Sequence, residues 1–485
     1  MRKFAFMTGI VLGTALLHAA SPVLADVFDV SQFGARGDGK SVDTLAINRA
    51  IEAAAAAQGG VVNFPAGTFL TGSIHMRSNV TLRLDSACKI VAAPPDEQSY
   101  DSAELNPAAK RFQDDGHAHW HNSLIWGEDL HDVAIEGTGQ IISDQLCYKR
   151  KRHDPLQADK TLALKNCRGV KLRDFTIVGG GHFAILATGT QDIEITGMTI
   201  DAARDGIDLD CCEKALIERC WVNAPNDDGI CLKSTWALGK AVQTHDVTIS
   251  RCLVSGYDSG TAVDGTRQRN IVYPKKDCPV GRIKIGTESA GGFSDVVIRD
   301  CAFQYTRGLA IESVDGGTLE RVRVERVSMQ HVTDSPIFIF LGNRLRRPNP
   351  TGLSSQLCDV TMSDISANDI DPRFPAIVYG TDSNHVRNVR LENVKLRFQG
   401  GGQKPAPSTQ STLPVDSRYP EPELFPTASA YGLFARNVDG LTLSHVELTY
   451  ENVDHRDGVV LENAGDAALQ DVHADHADDA QAVRQ

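Results

Sequence analysis

The sequence predicts an all-β fold, a single-stranded right-handed parallel β-helix (a solenoid) with a short N-terminal capping helix. Three observations lead to this prediction. Short segments of alternating apolar and polar residues recur along most of the chain, they are spaced by about one solenoid coil, and no long helical pattern separates them. The 42 glycines, against 9 tyrosines and 4 tryptophans, also fit a turn-rich β protein better than a helical bundle.

The repeat is measured from the last residue of each alternating segment. Leu172 to Ile195 is 23 residues and Ile195 to Ile217 is 22. Ile249 to Ile298 is 49 residues, or about two coils. Strands of successive coils stack at about 4.8 Å in a parallel β-helix, so residues one coil apart become neighbours. Steps longer than one coil indicate loops that leave the core, and loops often carry function.

One helical segment precedes the solenoid. Asp43 and Thr44 offer an N-cap, and Gly59-Gly60 ends the pattern. We predict a helix from Leu45 to Ala57 that covers the open end of the solenoid, within an N-terminal cap of about residues 26–75. The apolar stripe of this helix comprises Leu45, Ile47, Ala50, Ile51 and Ala54.

Residues 26–485 are predicted to form one domain. The stretch at about residues 400–430 is rich in Pro, Ser, Thr and Gly, and we interpret it as a surface excursion. It is not interpreted as a linker between domains, because strand-like repeats resume at Leu441.

Residues 1–25 are predicted to be a signal peptide. Arg2 and Lys3 precede an apolar run from Phe4 to Leu17, and the small-residue pattern at 23–25 (VLA) suits a cleavage site. The run is too short for a comfortable bilayer span, although a retained anchor is the alternative. We therefore expect a periplasmic or secreted protein with no membrane contact after the signal is removed.

Charge and cysteine content exclude several classes of protein. The 49 Lys+Arg against 62 Asp+Glu give a net charge of −13, which is unfavourable for nucleic-acid binding. The 11 cysteines form no Cys-x-x-Cys pair, so zinc and redox motifs lack their spacing. The adjacent Cys211 and Cys212, in an oxidising compartment, leave room for one or two disulfides. We expect a monomer with no cofactor and no bound metal.

The repeat also predicts which residues lie side by side. Ten residues after Ile195 comes Asp205, and ten after Ile217 comes Asp227. The segments 203–208 (ARDGID) and 226–229 (NDDG) should therefore lie on adjacent coils. Like charges opposite each other destabilise a sheet, so these carboxylates indicate a function.

Two uses of these carboxylates compete with a structural explanation. Carboxylates of split pKa can act as acid and base in glycoside cleavage. They can also hold a hard cation such as Ca²⁺. In the structural explanation, Asp-Gly pairs are only solvated turn residues.

Further segments carry a family resemblance. They are residues 28–40 (FDVSQFGARGDGK), 59–69 (GGVVNFPAGTF) and 71–74 (TGSI). Together with the two acidic segments they resemble family 28 of the glycoside hydrolases, the polygalacturonases and their rhamnogalacturonan-cutting relatives, over about residues 27–345. The resemblance implies an inverting hydrolase that acts on pectic chains. It implies that Asp227 is the general acid and that Asp205 and Asp228 activate the attacking water.

The chain departs from the family pattern in two segments. The family has Asn-Thr-Asp where this chain has Ala203-Arg204-Asp205. A Gly-His-Gly segment is expected on a following coil, and the sequence contains none.

The Arg-x-Lys pair that grips a substrate carboxylate in the family has two candidate positions here. The pair corresponds either to Arg282 and Lys284 or to residues 307–312 (RGLAIE), which would put Glu312 in the Lys position. We favour the second position, because the strand pattern around Ile298 then continues unbroken. A Glu there would weaken carboxylate recognition, which favours a relative that acts on a different or end-positioned sugar over an ordinary endo-polygalacturonase.

Most of the predicted substrate-binding residues are cations, as an anionic pectic substrate requires. Lys284 could instead be a solvated rung on the outer face, and His182, ten residues after Leu172, could be purely structural. The predicted binding residues are His182, Asp208, Lys233, Arg282, Lys284, Arg307, Glu312 and Arg344.

Three loops, residues 100–123, 235–243 and 257–279, are predicted to wall the cleft. The first contains His117, His119 and His121 around Trp120. Metal binding by these histidines is one interpretation. We favour a cleft wall in which Trp120 offers an apolar face to a sugar ring. Walls that close one end of a groove predict exo action.

Three functional hypotheses follow from the sequence. The first is a family 28 hydrolase of galacturonan or rhamnogalacturonan. The second is a polysaccharide lyase of the same fold that uses Ca²⁺ and an Arg or Lys base. The third is a carbohydrate-binding β-helix protein without catalysis.

Overall fold

The computed structural model describes residues 26–94, 100–106, 111–146, 158–271, 278–404, 417–425 and 430–485, together with Met1. The predicted signal peptide lies outside the described residues apart from Met1, and so do parts of the loops 100–123, 257–279 and 400–430. Within the described part of the chain, the helices are too short or too polar to cross a bilayer.

The described residues form one α-helix, α1 (Thr44–Ala56), and 37 strands. Short 3₁₀ helices lie at Val30–Phe33, Asp115–Ala118 and Pro422–Leu424. Numbered along the chain, the strands are β1 (Val27–Asp29), β2 (Asp38–Val42), β3 (Gly60–Phe64), β4 (Gly67–Thr71), β5 (Ile74–His75), β6 (Val80–Leu84), β7 (Cys88–Ala92), β8 (Ser123–Glu128), β9 (His131–Gly137), β10 (Gln140–Ser143), β11 (Lys160–Lys165), β12 (Arg168–Arg173), β13 (Thr176–Gly179), β14 (Phe183–Thr188), β15 (Gln191–Thr196), β16 (Thr199–Ala202), β17 (Asp205–Asp210), β18 (Glu213–Glu218), β19 (Trp221–Asn223), β20 (Ile230–Ser234), β21 (Thr244–Ser250), β22 (Leu253–Ser255), β23 (Ile283–Ser289), β24 (Phe293–Arg299), β25 (Ala302–Thr306), β26 (Leu309–Ser313), β27 (Thr318–Val332), β28 (Ile337–Leu341), β29 (Gln356–Ile370), β30 (Ala376–Tyr379), β31 (Val386–Gly400), β32 (Ala430–Arg436), β33 (Val438–Asp439), β34 (Thr442–Asn452), β35 (Asp457–Glu462), β36 (Ala468–Ala474) and β37 (Val483–Arg484).

Strands of successive coils pair in parallel, as the repeat predicts. One sheet has 24 of the described strands, and the other has 13, from β5 to β37. In this second sheet β14 pairs with β17, β17 with β20, and β20 with β23. The connection from one strand to a parallel strand of the same sheet is right-handed in nearly all proteins. The predicted right-handed parallel β-helix is confirmed.

The core of the solenoid consists of side chains stacked at the same position of successive coils. Ile185, Ile207, Ile230 and Ile283 are register partners in neighbouring strands of the second sheet, and all four are fully buried. Residues of one strand alternate between the core and the outer face. The residues next to these isoleucines along each strand therefore point outward, and the candidate site forms on this outer side of the sheet.

The described cysteines do not form the predicted disulfides. All ten are free and buried, and Cys147 lies outside the described residues. Several occupy equivalent places on successive coils, where the thiol donates to a backbone carbonyl, as Cys220 does to Ile195 (3.5 Å) and Cys252 to Ile217 (3.7 Å). Cysteine acts here as a small buried hydrophobe.

The capping helix is present, with differences at its start. Four of the five predicted stripe residues are buried, but Leu45 is 76% exposed because it lies on the solvent side of the first turn. The side chain of Asp43 accepts hydrogen bonds from the amides of Arg36 and Gly37 instead of capping the helix. At the other end Gly59, at φ 130°, donates to the Ala54 carbonyl.

The described part of the predicted excursion at 400–430 packs on the solenoid. Its described part, residues 417–425, returns to the outer face of the second sheet, where Phe425 is 3% exposed. The Phe425 ring packs against Phe338, Phe340 and Tyr379 at centroid distances of 6.4, 6.4 and 5.2 Å. Apolar packing therefore fixes this part of the excursion against the second sheet.

Candidate active site

The three predicted catalytic aspartates meet on two adjacent coils of the second sheet. Asp205 opens β17, while Asp227 and Asp228 lie just before β20. The amide of Gly206 donates to the Asp228 carbonyl at 3.0 Å, and the coil step here is 23 residues, so Asp205 lies opposite Asp228. We call Asp205, Asp227 and Asp228 the aspartate cluster.

The carboxylates of the aspartate cluster are in close contact but unequally exposed. One oxygen from each lies within 4.8 Å of one oxygen from each of the others. Asp205 and Asp228 are 4% and 2% exposed, whereas the side chain of Asp227 is 23% exposed. Asp227 is therefore the carboxylate that a substrate reaches first.

Cations on the next coil hold Asp228. Arg282 Nε donates to Asp228 Oδ1 at 2.9 Å, and Lys284 Nζ lies 3.7 Å from Asp228 Oδ2. Burial alone would raise the pKa of Asp228, but Lys284 and Arg282 lower it further than burial raises it, and the net pKa lies below the ordinary value. Asp228 therefore stays ionised.

The opposite holds for Asp205. Burial raises the pKa of Asp205 well above the ordinary value, and the charges of Asp227 and Asp208 add to the effect. Two carboxyl groups in contact thus have pKa values displaced in opposite directions, the arrangement that lets one group carry a proton while the other stays charged.

Arg204 lies between the aspartate cluster and the histidine of the previous coil. Its Nε donates to Asp227 Oδ2 at 2.9 Å, and its guanidinium also contacts His182 and, at 3.3 Å, Asp114. The Arg204 side chain is 25% exposed, so it is both a partner of Asp227 and accessible from solvent.

Beneath the aspartate cluster lies a buried acidic residue, Asp208. It is fully buried, and its Oδ2 lies 3.5 Å from Nε2 of His117. No hydrogen bond to either Asp208 oxygen is found among the described residues. Burial, partly offset by Lys233 and His117, raises the pKa of Asp208 to about 7.

The chain matches known families along most of its length. Residues 118–413 match the family described as "Glycosyl hydrolases family 28", and residues 27–99 match "Rhamnogalacturonase A/epimerase, pectate lyase-like". The first match covers more than half of the chain. The chain belongs to glycosyl hydrolase family 28. The predicted family is therefore confirmed.

Individual relatives of this family 28 chain agree with the assignment. A "Probable polygalacturonase" of Vitis vinifera is 26% identical over 309 residues, covering 59% of this chain and 62% of that protein. This chain therefore spans less than two thirds of that relative. A polygalacturonase of Chamaecyparis obtusa is 24% identical over 417 residues, covering 79% of this chain and 69% of the relative.

Solved structures show the same fold. The exopolygalacturonase of Thermotoga maritima aligns with a TM-score of 0.61 at 20% identity, covering 77% of this chain and 87% of that one. The family 28 exopolygalacturonase of Yersinia enterocolitica aligns with a TM-score of 0.66 at 16% identity, covering 92% and 78%.

For the Arg-x-Lys pair of this family 28 chain, the structure favours the first of the two candidate positions, Arg282 and Lys284. Arg282 and Lys284 contact Asp228 directly, whereas Arg307, in the register we preferred, contacts acids of other segments. Glu312 is fully buried, and its Oε2 lies 3.3 Å from Lys284 Nζ. The unbroken strand pattern located β26 correctly but could not show which coil meets the aspartate cluster.

The predicted binding cations Lys233 and Arg344 have side chains at most 9% exposed, and both pair with protein acids. Lys233 Nζ donates to Glu288 at 3.0 Å, and Arg344 Nε donates to Asp315 at 3.0 Å. Direct contact of these residues with substrate stays a prediction. The His182 and Phe183 rings stack at a centroid distance of 4.3 Å. The residue that pairs with Asp205 in the neighbouring strand is Phe183, one position after the predicted His182.

The interpretation of the 100–123 loop changes. Trp120 is 1% exposed and its indole donates to Thr188 at 3.0 Å, so it offers no face to a sugar. The three nearby histidines point to different partners: His117 to Asp208, His119 to Asn122 (2.7 Å) and His121 to Glu128 (2.8 Å). This dispersal does not favour a shared metal site.

The loops 100–123 and 235–243 do meet. Asn106 Nδ2 donates to the Ala237 carbonyl at 3.0 Å, beside a cavity of about 710 Å³. The lining residues of this cavity come from the far ends of the second-sheet strands and do not include the aspartate cluster.

The sequence did not identify several residues of the site. Arg204 was noted only as a departure from the family pattern. Asp114 lies in a loop without a repeat signal, and Glu288 lies near the end of β23. Tyr419, which accepts a hydrogen bond from Lys284 at 3.1 Å, lies 135 residues after Lys284 in the chain. The sequence signal for Arg204 was its position next to Asp205, where the family pattern has an uncharged residue.

Proposed function

We propose that this chain is an exported glycoside hydrolase that cleaves α-glycosidic bonds of pectic galacturonan or rhamnogalacturonan chains. Membership of family 28 and its polygalacturonase relatives support the reaction class. The observation that carries the proposal is the aspartate cluster, whose carboxyl groups are in contact and differ in pKa and in exposure.

The proposed roles follow from these differences. Asp227, the most exposed of the three, is the general acid that protonates the glycosidic oxygen. Asp228 stays ionised and orients a water molecule, while Asp205 accepts the proton that this water loses. A general base works best when its pKa is near the working pH, and burial moves Asp205 in that direction.

We propose inversion of the anomeric carbon, on the strength of the family resemblance. The closest oxygens of the cluster lie within 4.8 Å, nearer than the separation of about 6.5–9.5 Å usual for inverting enzymes. Three carboxylates are present, however, and both Asp205 and Asp228 are nearly buried, which suits holding a small water molecule better than attacking a sugar directly.

Arg204 is the proposed contact for a substrate carboxylate. The predicted cations Lys233, Arg282 and Arg344 have side chains at most 9% exposed and already pair with protein acids, whereas Arg204 is 25% exposed. Arg binds carboxylates in a bidentate way.

We further propose exo action, export through residues 1–25 and a monomeric state. Two solved structures of this fold are exopolygalacturonases, which supports exo action. The pattern of residues 1–25 supports export.

The experiment is a panel of pectic polymers and oligosaccharides, with product size read by chromatography and the first anomer formed read by NMR. Release of one small product from the earliest time, with inverted anomer, is expected. A ladder of intermediate oligomers at early time would contradict exo action, and a retained anomer would contradict inversion.

The same panel separates the two other hypotheses. A lyase forms an unsaturated product that absorbs in the ultraviolet and loses activity in a chelator, whereas a hydrolase does neither. A carbohydrate-binding protein retards polymer in affinity electrophoresis and releases no reducing ends.

A further inference from the structure

A segment far along the chain reaches the active site. Tyr419 accepts a hydrogen bond from Lys284 Nζ at 3.1 Å, and its ring centroid lies 5.1 Å from the same nitrogen. The guanidinium of Arg344 lies 5.7 Å from the ring. Lys284 is itself 3.7 Å from Asp228, so one side chain separates Tyr419 from the aspartate cluster.

The ring of Tyr419 has one covered side and one open side. Lys284 is fully buried and the Arg344 side chain is 7% exposed, whereas Tyr419 is 45% exposed. The cations beneath the ring hold it by cation–π contact and a hydrogen bond. The exposed part of Tyr419 is an amphipathic aromatic surface suited to the apolar face of a sugar.

Ion pairs fix the segment that carries this ring. Arg307 is fully buried and lies 3.1 Å from Asp334, 2.6 Å from Glu421 and 3.2 Å from Glu423. We call these four residues the arginine latch. Glu421 is two residues from Tyr419, so the latch determines where the ring sits. Arg307, predicted from sequence as a substrate contact, has no exposed surface for that role.

We propose that Tyr419 is a specificity-determining residue of the active site, the surface on which the sugar unit next to the cleaved bond packs, and that Arg307 is a positioning residue that acts through it. This inference rests on the proposed function and deepens it. It gives residues 417–425 a role that their composition does not predict.

The first test compares Tyr419→Ala with Tyr419→Phe in the full chain, using galacturonate oligomers of two to six units. Loss of the ring is expected to raise KM about tenfold with kcat within about threefold, because the packing surface is lost. Tyr419→Phe keeps the ring and is expected to keep KM within about twofold. An unchanged KM in Tyr419→Ala, or an equal rise in both variants, overturns the proposal.

The second test asks whether the latch acts through the ring. Glu421→Gln, which keeps Arg307 paired with two other acids, and Arg307→Gln are made in the wild type and in Tyr419→Ala. Each is expected to raise KM about three- to fivefold in the wild type and to have no further effect in Tyr419→Ala, since coupled residues are not additive. Full additivity in both pairs overturns the positioning role, even if Arg307→Gln also lowers the melting temperature.

The wild type separates this inference from the function on which it rests. If it cleaves the oligomers and Tyr419→Ala behaves identically, the inference fails and the hydrolase stands. If the wild type releases no product from any pectic substrate, the proposed function fails, and the role of Tyr419 fails with it.

Discussion

The aspartate cluster and the three acids of the arginine latch are two carboxylate triads among the described residues. In each, one oxygen from every carboxylate lies within 4.8 Å of the others. In the latch, Arg307 contacts all three acids and is fully buried. In the aspartate cluster Arg204 contacts Asp205 and Asp227 while Arg282 contacts Asp228, and none of the described guanidinium groups contacts all three acids.

This difference distinguishes the latch, which holds a segment in place, from the triad that we propose is catalytic. Burial raises the pKa of Asp334 in the latch to about 6, with Arg307 partly offsetting the effect. In the aspartate cluster, cations on one side lower the pKa of Asp228 while burial raises that of Asp205. A carboxylate cluster thus becomes suited to acid–base work when its cations are placed asymmetrically.

The largest expected effect comes from breaking the aspartate cluster. Asp227→Asn is expected to lower kcat by about 10²–10⁴-fold, because a positioned general acid contributes that much. The melting temperature should stay within about 2 °C of the wild type. Rates are measured by reducing-end release, with Asp295→Asn, an exposed acid paired with Arg321 at 2.9 Å, as the matched control. Wild-type turnover in Asp227→Asn would contradict the assigned role.

Breaking the latch should affect stability first. Arg307→Gln leaves Asp334, which is 2% exposed, without its cation, and losing one partner of a buried pair costs about 3–5 kcal/mol. The cost should shrink below about pH 6, since protonation removes the buried charge. Thermal unfolding at pH 5 and pH 8 measures both effects.

The control for the latch is an exposed pair. Arg321→Gln removes the partner of Asp295 on the solvent side, where both side chains are about half exposed. Solvent-exposed pairs of this kind contribute little to stability, so Arg321→Gln should unfold close to the wild type. Equal losses in Arg307→Gln and Arg321→Gln would show that burial of the latch is not what makes it stabilising.

The sequence predicted the aspartate cluster because its members recur with the coil period. Asp205 and Asp228 are 23 residues apart, one coil step, and a solenoid converts such spacing into contact. The offset argument was accurate to one residue. It placed Asp227 and His182 in line with Asp205, where the register has Asp228 and Phe183.

The latch and Tyr419 could not be predicted in this way. Arg307 and Glu421 are 114 residues apart, and the segment that carries Glu421 belongs to no coil. Trp120 shows the same limit of repeat spacing as a predictor. Nothing in the sequence indicated that this aromatic residue, which lies in a loop, would be buried against Thr188. Repeat spacing predicts contacts between coils, whereas contacts made by excursions depend on tertiary packing.

Replacing Lys284 tests whether the asymmetric placement of the cations determines the ionisation of the aspartate cluster. Lys284→Met removes one of the two main cations that lower the pKa of Asp228, so the pKa of Asp228 should rise towards its ordinary value or above it, as burial dictates. The acidic limb of the pH profile of kcat/KM should move to higher pH, with a loss of about tenfold at the optimum. Lys395→Met, at an exposed lysine paired with Glu447, is the control, and an unshifted acidic limb in Lys284→Met would contradict this account.

The smallest effect is expected at Asp208, which lies beneath the aspartate cluster. Its folded pKa of about 7 exceeds the unfolded value of about 3.9, so the folded state binds the proton more tightly and wild-type stability falls as pH rises from about 4 to 7. Asp208→Asn does not titrate and resembles the protonated acid in shape. Its melting temperature relative to the wild type should therefore increase across this window, by about 5 °C or less, and stay level above pH 7.

Asp210 is the matched control, two residues along the same strand and equally buried. Its carboxylate accepts hydrogen bonds from the amide and hydroxyl of Thr235 at 2.8 and 2.7 Å, so Asp210→Asn should lose stability at every pH. Thermal scans from pH 4.5 to 8.5 compare the two variants. A constant difference between Asp208→Asn and the wild type would mean that Asp208 is ionised throughout. In that case the raised pKa at this site would belong to Asp205 and not to Asp208.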